Sequence, residues 1–251
     1  MHLINSLSLF GLLAASLTEA TPLERAKFKA RLTSVPRLGD GIDVNDPLRG
    51  GKLVPRPDLP RSSGAFSNAF QLMNYVTTGL FKETIFNKYF NPGDRDLVMS
   101  LFNRLLGDDQ VSGAPALRNI LVKAGPDDPS NPAPAELEGY DDPDPHLILT
   151  EDAWVYPDRD EIENACEEWE EEGMTQDMYL LGSILLHEYM HWDWFLGSLH
   201  HGQIIDQPNG YGWENARNLD KNLAKYNADS YGWYATENLW ASLCGKPDGY
   251  D

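Results

Sequence analysis

The stretch MYLLGSILLHEYMHWDW, Met178 to Trp194, carries H-E-x-x-H inside an apolar run with no proline and a single glycine, Gly182. Such a run predicts a buried helix, and four residues of helix return a side chain to nearly the same angle. His187 and His191 then lie one turn apart on one face, where two imidazoles can reach one Zn²⁺. Glu188, next to the first of them, is placed to take a proton from an attacking water. The bland alternative is a core helix that carries the motif by accident. With only six His in the chain, a metal site on a helix is the favoured reading.

A catalytic zinc takes a third protein ligand and keeps one position open. Metzincin spacing would put glycine at 194 and histidine at 197, where Trp194 and Gly197 stand, so that class is excluded. Glu214, at the start of a predicted helix, would suit a thermolysin-like arrangement. His200 and His201 form an adjacent pair in a Gly-flanked loop and read as surface. Asp229 has three roles open to it. In order of preference these are a carboxylate orienting a ligand His through its other ring nitrogen, a helix cap, and a ligand. Asp193 and the tryptophans at 192, 194, 213, 233 and 240 read as structural, with one Trp available to wall a substrate cleft.

At 251 residues the chain is long enough for one main domain plus a leader. Its formal charge of -19 and isoelectric point near 4.5 exclude nucleic acid and anionic membrane surfaces as natural partners. Residues 1–20 are expected to be a secretory signal, with a short apolar run from Leu7 to Leu17 and small residues near Ala20. Residues 21–61 hold nine Lys/Arg against five Asp/Glu, whereas residues 62–251 hold 11 against 33. That contrast predicts a basic propeptide, or an N-terminal arm that stays attached, ahead of an acidic domain over 62–251. Cys166 and Cys244, the two cysteines, fit one disulfide in an oxidising compartment.

Within that domain, apolar spacing predicts a helix over Ser67 to Phe90 and a second from Asp94 to Gly107. Short strands are expected at Leu117 to Val122, His146 to Thr150 and Trp154 to Tyr156, with a long acidic loop over Gly125 to Pro145. Glu161 to Glu172 reads as a short solvated helix. The H-E-x-x-H helix is expected over Gln176 to Leu196, followed by helices over Glu214 to Tyr226 and Ala228 to Leu243. This order implies an α+β fold of the zincin-like metalloprotease kind, mainly helical with a small sheet.

Three segments taken together resemble a known family: His187 to His191 as H-E-Y-M-H, Ile205-Asp206 leading to Tyr211-Gly212, and Asn227-Ala228-Asp229-Ser230-Tyr231. They are similar to the fungal aspzincins, the secreted deuterolysin and lysine-specific metallo-endopeptidase-like proteases. In that family the two helix His and the Asp of a G-T-x-D-x-x-Y-G segment bind zinc, and the Tyr of that segment helps to stabilise the transition state. The resemblance covers mainly residues 178–240. It implies that His187, His191 and Asp206 are metal ligands, Glu188 the general base and Tyr211 an oxyanion helper. The chain departs from the pattern in two places. Gln203-Ile204 replaces Gly-Thr, and Asp206 stands five residues before Tyr211 instead of three.

The expectation is therefore a secreted, monomeric zinc endopeptidase with one Zn²⁺ per chain and a protein or peptide substrate. A gluzincin-like enzyme using Glu214 is the rival within the class. The rival from another class is a catalytically inactive zincin-fold binding protein or effector, against which the retained Glu188 argues. A purely structural zinc domain is a third, weaker alternative.

Overall fold

The computed structural model describes residues 59–79, 82–107, 117, 120–124, 133–162, 165–200, 202–246 and 248–249. The expected signal segment and nearly all of the basic arm lie outside them. Helix α1, Leu59–Thr78, begins three residues before the expected boundary at residue 62. No helix among the described residues is long and apolar enough to cross a membrane.

The molecule is built on two central helices, α5 (Leu181–Met190) and α9 (Ala228–Leu243), with α1 packed against both. Every residue of α5 is buried, which is what an apolar run without a polar face requires. It approaches α1 closely at Gly182, where an added Cβ would lie 2.7 Å from the Ala69 amide nitrogen. A larger residue there would push the two backbones apart. Helix α2 (Glu83–Tyr89) and helix α3 (Arg95–Leu106) bring Phe86, Tyr89, Phe90 and Phe102 against Tyr231 and Tyr234 of α9. These rings meet mostly edge-on or tilted, the geometry their quadrupoles favour. Within this packing Glu237, fully buried, is met by Lys88 Nζ at 2.9 Å and by the Tyr89 hydroxyl at 2.7 Å. Both partners are needed, because a lone buried carboxylate is costly.

Three short strands form one sheet in the order β1-β3-β2: β1 (Leu121–Ala124), β2 (Ala135–Glu138) and β3 (His146–Leu149). β1 runs parallel to β3, and β2 runs antiparallel to it with Leu137 opposite Leu147. Buried Ala135 and Leu137 alternate with exposed Glu136 and Glu138, the period-two pattern of a half-covered strand. The sequence reading missed β2 because it lies inside the Pro- and Asp-rich stretch assigned to a loop. Of Trp154 to Tyr156, expected to be a strand, Trp154 and Val155 instead lie within a 3₁₀ turn over Glu151–Val155, and Tyr156 closes it.

The helix expected over Ser67 to Phe90 is broken after Thr78. Thr77 and Thr78 turn their hydroxyls back onto the Met73 and Asn74 carbonyls, and Gly79 follows, so propagation stops there. Helix α4, Ala165–Glu172, turns Trp169 inward and its glutamates outward. The helix expected over Glu214 to Tyr226 is two, α7 (Trp213–Asn218) and α8 (Lys221–Ala224), with Asp220 capping the second through the Asn222 amide. The last helix, α9, has the expected limits.

Cys166 and Cys244 form a disulfide that ties α4 to the end of α9 across 78 residues. Replacing both by alanine should lower unfolding stability by roughly 4 kcal/mol, the loop-closure value for a span of that size. Urea denaturation of the double variant beside the wild type measures it.

Candidate metal centre

The H-E-x-x-H helix is shorter than expected, because α5 ends at Met190 and Trp192 leaves helical torsions before α6, Asp193–Leu196. His191 keeps helical φ and ψ (−73°, −15°), so the one-turn relation to His187 survives. The break comes where Trp192 turns its ring into the core and donates Nε1–H to the Asp142 carbonyl at 2.8 Å.

Asp206 arrives from the loop after α6. Its Oδ1 lies 3.0 Å from His187 Nε2 and 3.4 Å from His191 Nε2, and the two nitrogens are 3.2 Å apart. Among the described residues this is the group of His, Cys, Asp or Glu side chains whose donor atoms converge closely enough to hold a metal ion. Glu214 is exposed and stands outside it, and Asp193 also stands outside it.

The second ring nitrogens explain why the first ones point inward. His187 Nδ1 donates to Asp229 Oδ1 at 2.9 Å, and His191 Nδ1 donates to the Ile204 carbonyl at 3.0 Å. A carbonyl can only accept, so His191 must carry its proton on Nδ1, and the Asp229 carboxylate asks the same of His187. Each Nε2 then presents a lone pair to the other and to the Asp206 oxygen. Three electron-rich atoms facing one another at these distances could hold a metal ion between them. Two imidazoles and a carboxylate suit a borderline divalent ion. Asp229 thus holds the orienting place ranked first for it, and its other oxygen accepts the Gly212 amide.

Without a cation the group has to bind a proton instead. Burial disfavours the His187 imidazolium, but its hydrogen bonds to Asp206 and Asp229 prevail and hold its pKa well above the ordinary value. Burial also raises the carboxyl of Asp206, an effect outweighed by both histidines, which hold it well below the usual carboxylate range. Glu188 is buried beside His187, and its pKa is raised chiefly by desolvation, against the opposing pull of His187 and His191. Its Oε2 accepts the Leu137 amide of β2 at 2.9 Å, so the edge of the sheet fixes this carboxylate. That contact had no sequence signal beyond the short alternation of β2.

Tyr211 reaches the centre despite its longer spacing from Asp206. Its hydroxyl donates to Asp206 Oδ2 at 3.2 Å and its ring lies 5.6 Å from that of His187. Residues 207–210 form a tight turn in which the Gly210 amide donates to the Gln207 carbonyl at 2.8 Å, with Pro208 second and Asn209 third at φ 62°. Pro followed by a left-handed Asn is type II turn chemistry, and it folds the two extra residues out of the way. Burial of its hydroxyl end and the charge of Asp206 push the Tyr211 phenol upward, so it remains a donor. His200 is buried rather than on the surface, its ring nitrogens against the Gly202 and Lys225 carbonyls. Trp194, expected to pack, is half exposed, whereas Trp192, Trp233 and Trp240 are buried.

No protein-family model matches this sequence, and no curated protein matches it.

Two experiments test the centre. Asp206→Ala should abolish tight metal binding, whereas Glu214→Gln should leave it unchanged. Asp229→Asn should weaken it about 10- to 100-fold, as loss of an orienting carboxylate does. Chelator-competition titration reads all three. Because metal and proton compete for His187, whose metal-free pKa is raised well above the ordinary histidine value, affinity should fall as pH drops through that raised pKa and continue to fall on its acid side. Proton release on metal addition, followed with an indicator dye, checks the sign.

Proposed function

We propose that this chain is a zinc-dependent endopeptidase of zincin-like fold, secreted and monomeric, acting on protein or peptide substrates. The observation that carries the proposal is the pairing of a convergent His187–His191–Asp206 donor set with Glu188, a buried carboxylate of raised pKa on the same helix. A site that only staples a fold has no use for a proton acceptor in that position. The resemblance to the aspzincins names the same residues.

Zinc held by His187, His191 and Asp206 would polarise the scissile carbonyl and make water a nucleophile near neutral pH. Glu188 takes the proton released as water attacks and then delivers it to the departing amine. Its raised pKa suits it to both steps better than an ordinary surface carboxylate. The Leu137 amide, held in β2, keeps the Glu188 carboxylate from rotating away. Tyr211, protonated and beside Asp206, can turn its hydroxyl to the oxygen that gains charge. Asp229 acts through His187, fixing its ring.

The polypeptide substrate class draws support from the sheet. β2 is an edge strand among the described residues, and it carries the backbone contact to Glu188. An extended chain laid along that edge would pair with it through main-chain hydrogen bonds, largely independent of side-chain identity. Secretion rests on the apolar leader and on the Cys166–Cys244 disulfide, a bond that suits an oxidising compartment.

The test is digestion of a denatured protein mixture by purified protein, with and without zinc, beside Glu188→Gln, with cleavage sites read by mass spectrometry. The wild type should cut only with zinc, and Glu188→Gln should lose at least about 100-fold in rate while retaining the metal. Stoichiometric zinc binding with no cleavage by either protein would replace the peptidase with the inactive binding protein.

A further inference from the structure

Asn227, the residue before α9, is fully buried, and three of the four hydrogen-bonding capacities of its side chain are used. Its Oδ1 accepts the Gln207 amide at 3.1 Å. Its Nδ2 donates to the Gly210 carbonyl at 3.1 Å and to Ser230 Oγ at 2.9 Å. Gln207 follows Asp206 and Gly210 precedes Tyr211, so one side-chain amide grips both ends of the turn that joins them. The backbone on either side of Asn227 grips the approach. The Ile205 amide donates to the Tyr226 carbonyl at 2.9 Å, and the Ala228 amide donates to the Ile205 carbonyl at 3.1 Å.

We infer that Asn227 is a positioning residue for the metal centre: its side-chain amide is the template on which the 206–211 segment is folded so that Asp206 and Tyr211 face the histidines together. The inference rests on the proposed metal site but not on peptidase activity. Glycine at 210 fits it, because a Cβ there would lie 2.7 Å from Asn227 Oδ1 and 2.9 Å from Nδ2. The amide is also chemically specific. A carboxylate at 227 could still accept from Gln207, but it would set an acceptor against the Gly210 carbonyl, where the turn needs a donor. The five-residue separation of Asp206 from Tyr211 makes this grip necessary. The longer connection has more conformations to lose, and each atom held at its two ends removes many of them.

The experiment measures zinc affinity by chelator competition and unfolding temperature for wild type, Asn227→Ala, Asn227→Asp, Gly210→Ala and a control, Asn238→Ala. Asn238 is an equally buried amide on α9 whose Nδ2 bonds the Tyr234 carbonyl, away from the centre. Asn227→Ala, Asn227→Asp and Gly210→Ala should each weaken zinc binding about tenfold or more at a temperature where all are folded. Asn238→Ala should lose thermal stability and keep wild-type affinity. Gly210→Ala attacks the same contact from the turn, so it decides the matter if the Asn227 variants fail to fold. Wild-type affinity in Gly210→Ala and in the folded Asn227 variants overturns the inference, as does an equal loss in Asn238→Ala. A wild type that binds zinc but cuts nothing, with affinity still lost on changing residue 227 or 210, sinks the peptidase and leaves Asn227 in its role.

Discussion

The hydrogen bond between His187 Nδ1 and Asp229 is where the chemistry and the fold meet. It joins the two central helices, α5 and α9, at a buried point, and it fixes which nitrogen of His187 is left to face Asp206. A carboxylate so deeply placed needs more than one partner, and Asp229 has them in His187 and the Gly212 amide, with the Tyr179 hydroxyl at a longer 3.4 Å. The packing around it follows from that requirement. Tyr179 is stacked on Trp233 at 4.2 Å, and α5 approaches α1 at Gly182. These contacts keep the ring plane of His187 from drifting.

The centre is assembled by three pieces of chain that differ in stiffness. The histidines stand on a helix, His187 within it and His191 at its end, that is buried on every side and has little freedom to shift. Glu188 is tied to β2, a strand only four residues long that depends on β3 for its own order. Asp206 and Tyr211 come from irregular backbone, the least constrained piece, and that piece is bonded at several points to the residues that open α9. Rigidity is thus borrowed from the helix core by the loop that needs it, the arrangement a preorganised site requires.

Much of this could be read in the amino-acid order, for physical reasons that differ from element to element. The apolar stripe of α3 is legible because one-sided burial writes a helical period into the sequence, whereas the H-E-x-x-H helix is legible from its motif and its unbroken apolar run. Helix ends are less legible: the break at Trp192 is imposed by a tertiary contact that leaves no local period, and the stop at Gly79 comes from two threonine hydroxyls and a glycine inside continuing helical spacing. β2 escaped because four alternating residues among prolines and aspartates are a faint pattern. The third member of the donor group was drawn from a resemblance, because spacing alone left Asp206, Glu214 and Asp229 open. The Ile204 carbonyl and the Leu137 amide are backbone groups, and no side-chain identity could have announced them.

The same strand that steadies Glu188 has a further consequence for behaviour in concentrated solution. An unpaired sheet edge is a template for any strand, including the identical edge of another molecule. Here the outward-facing side chains of that edge are Glu136 and Glu138, both exposed. Two copies meeting edge to edge would bring these like charges into one row, and repulsion would resist stacking. Acidity that serves no step of the chemistry can thereby act as a guard against aggregation, keeping an edge open without leaving it sticky.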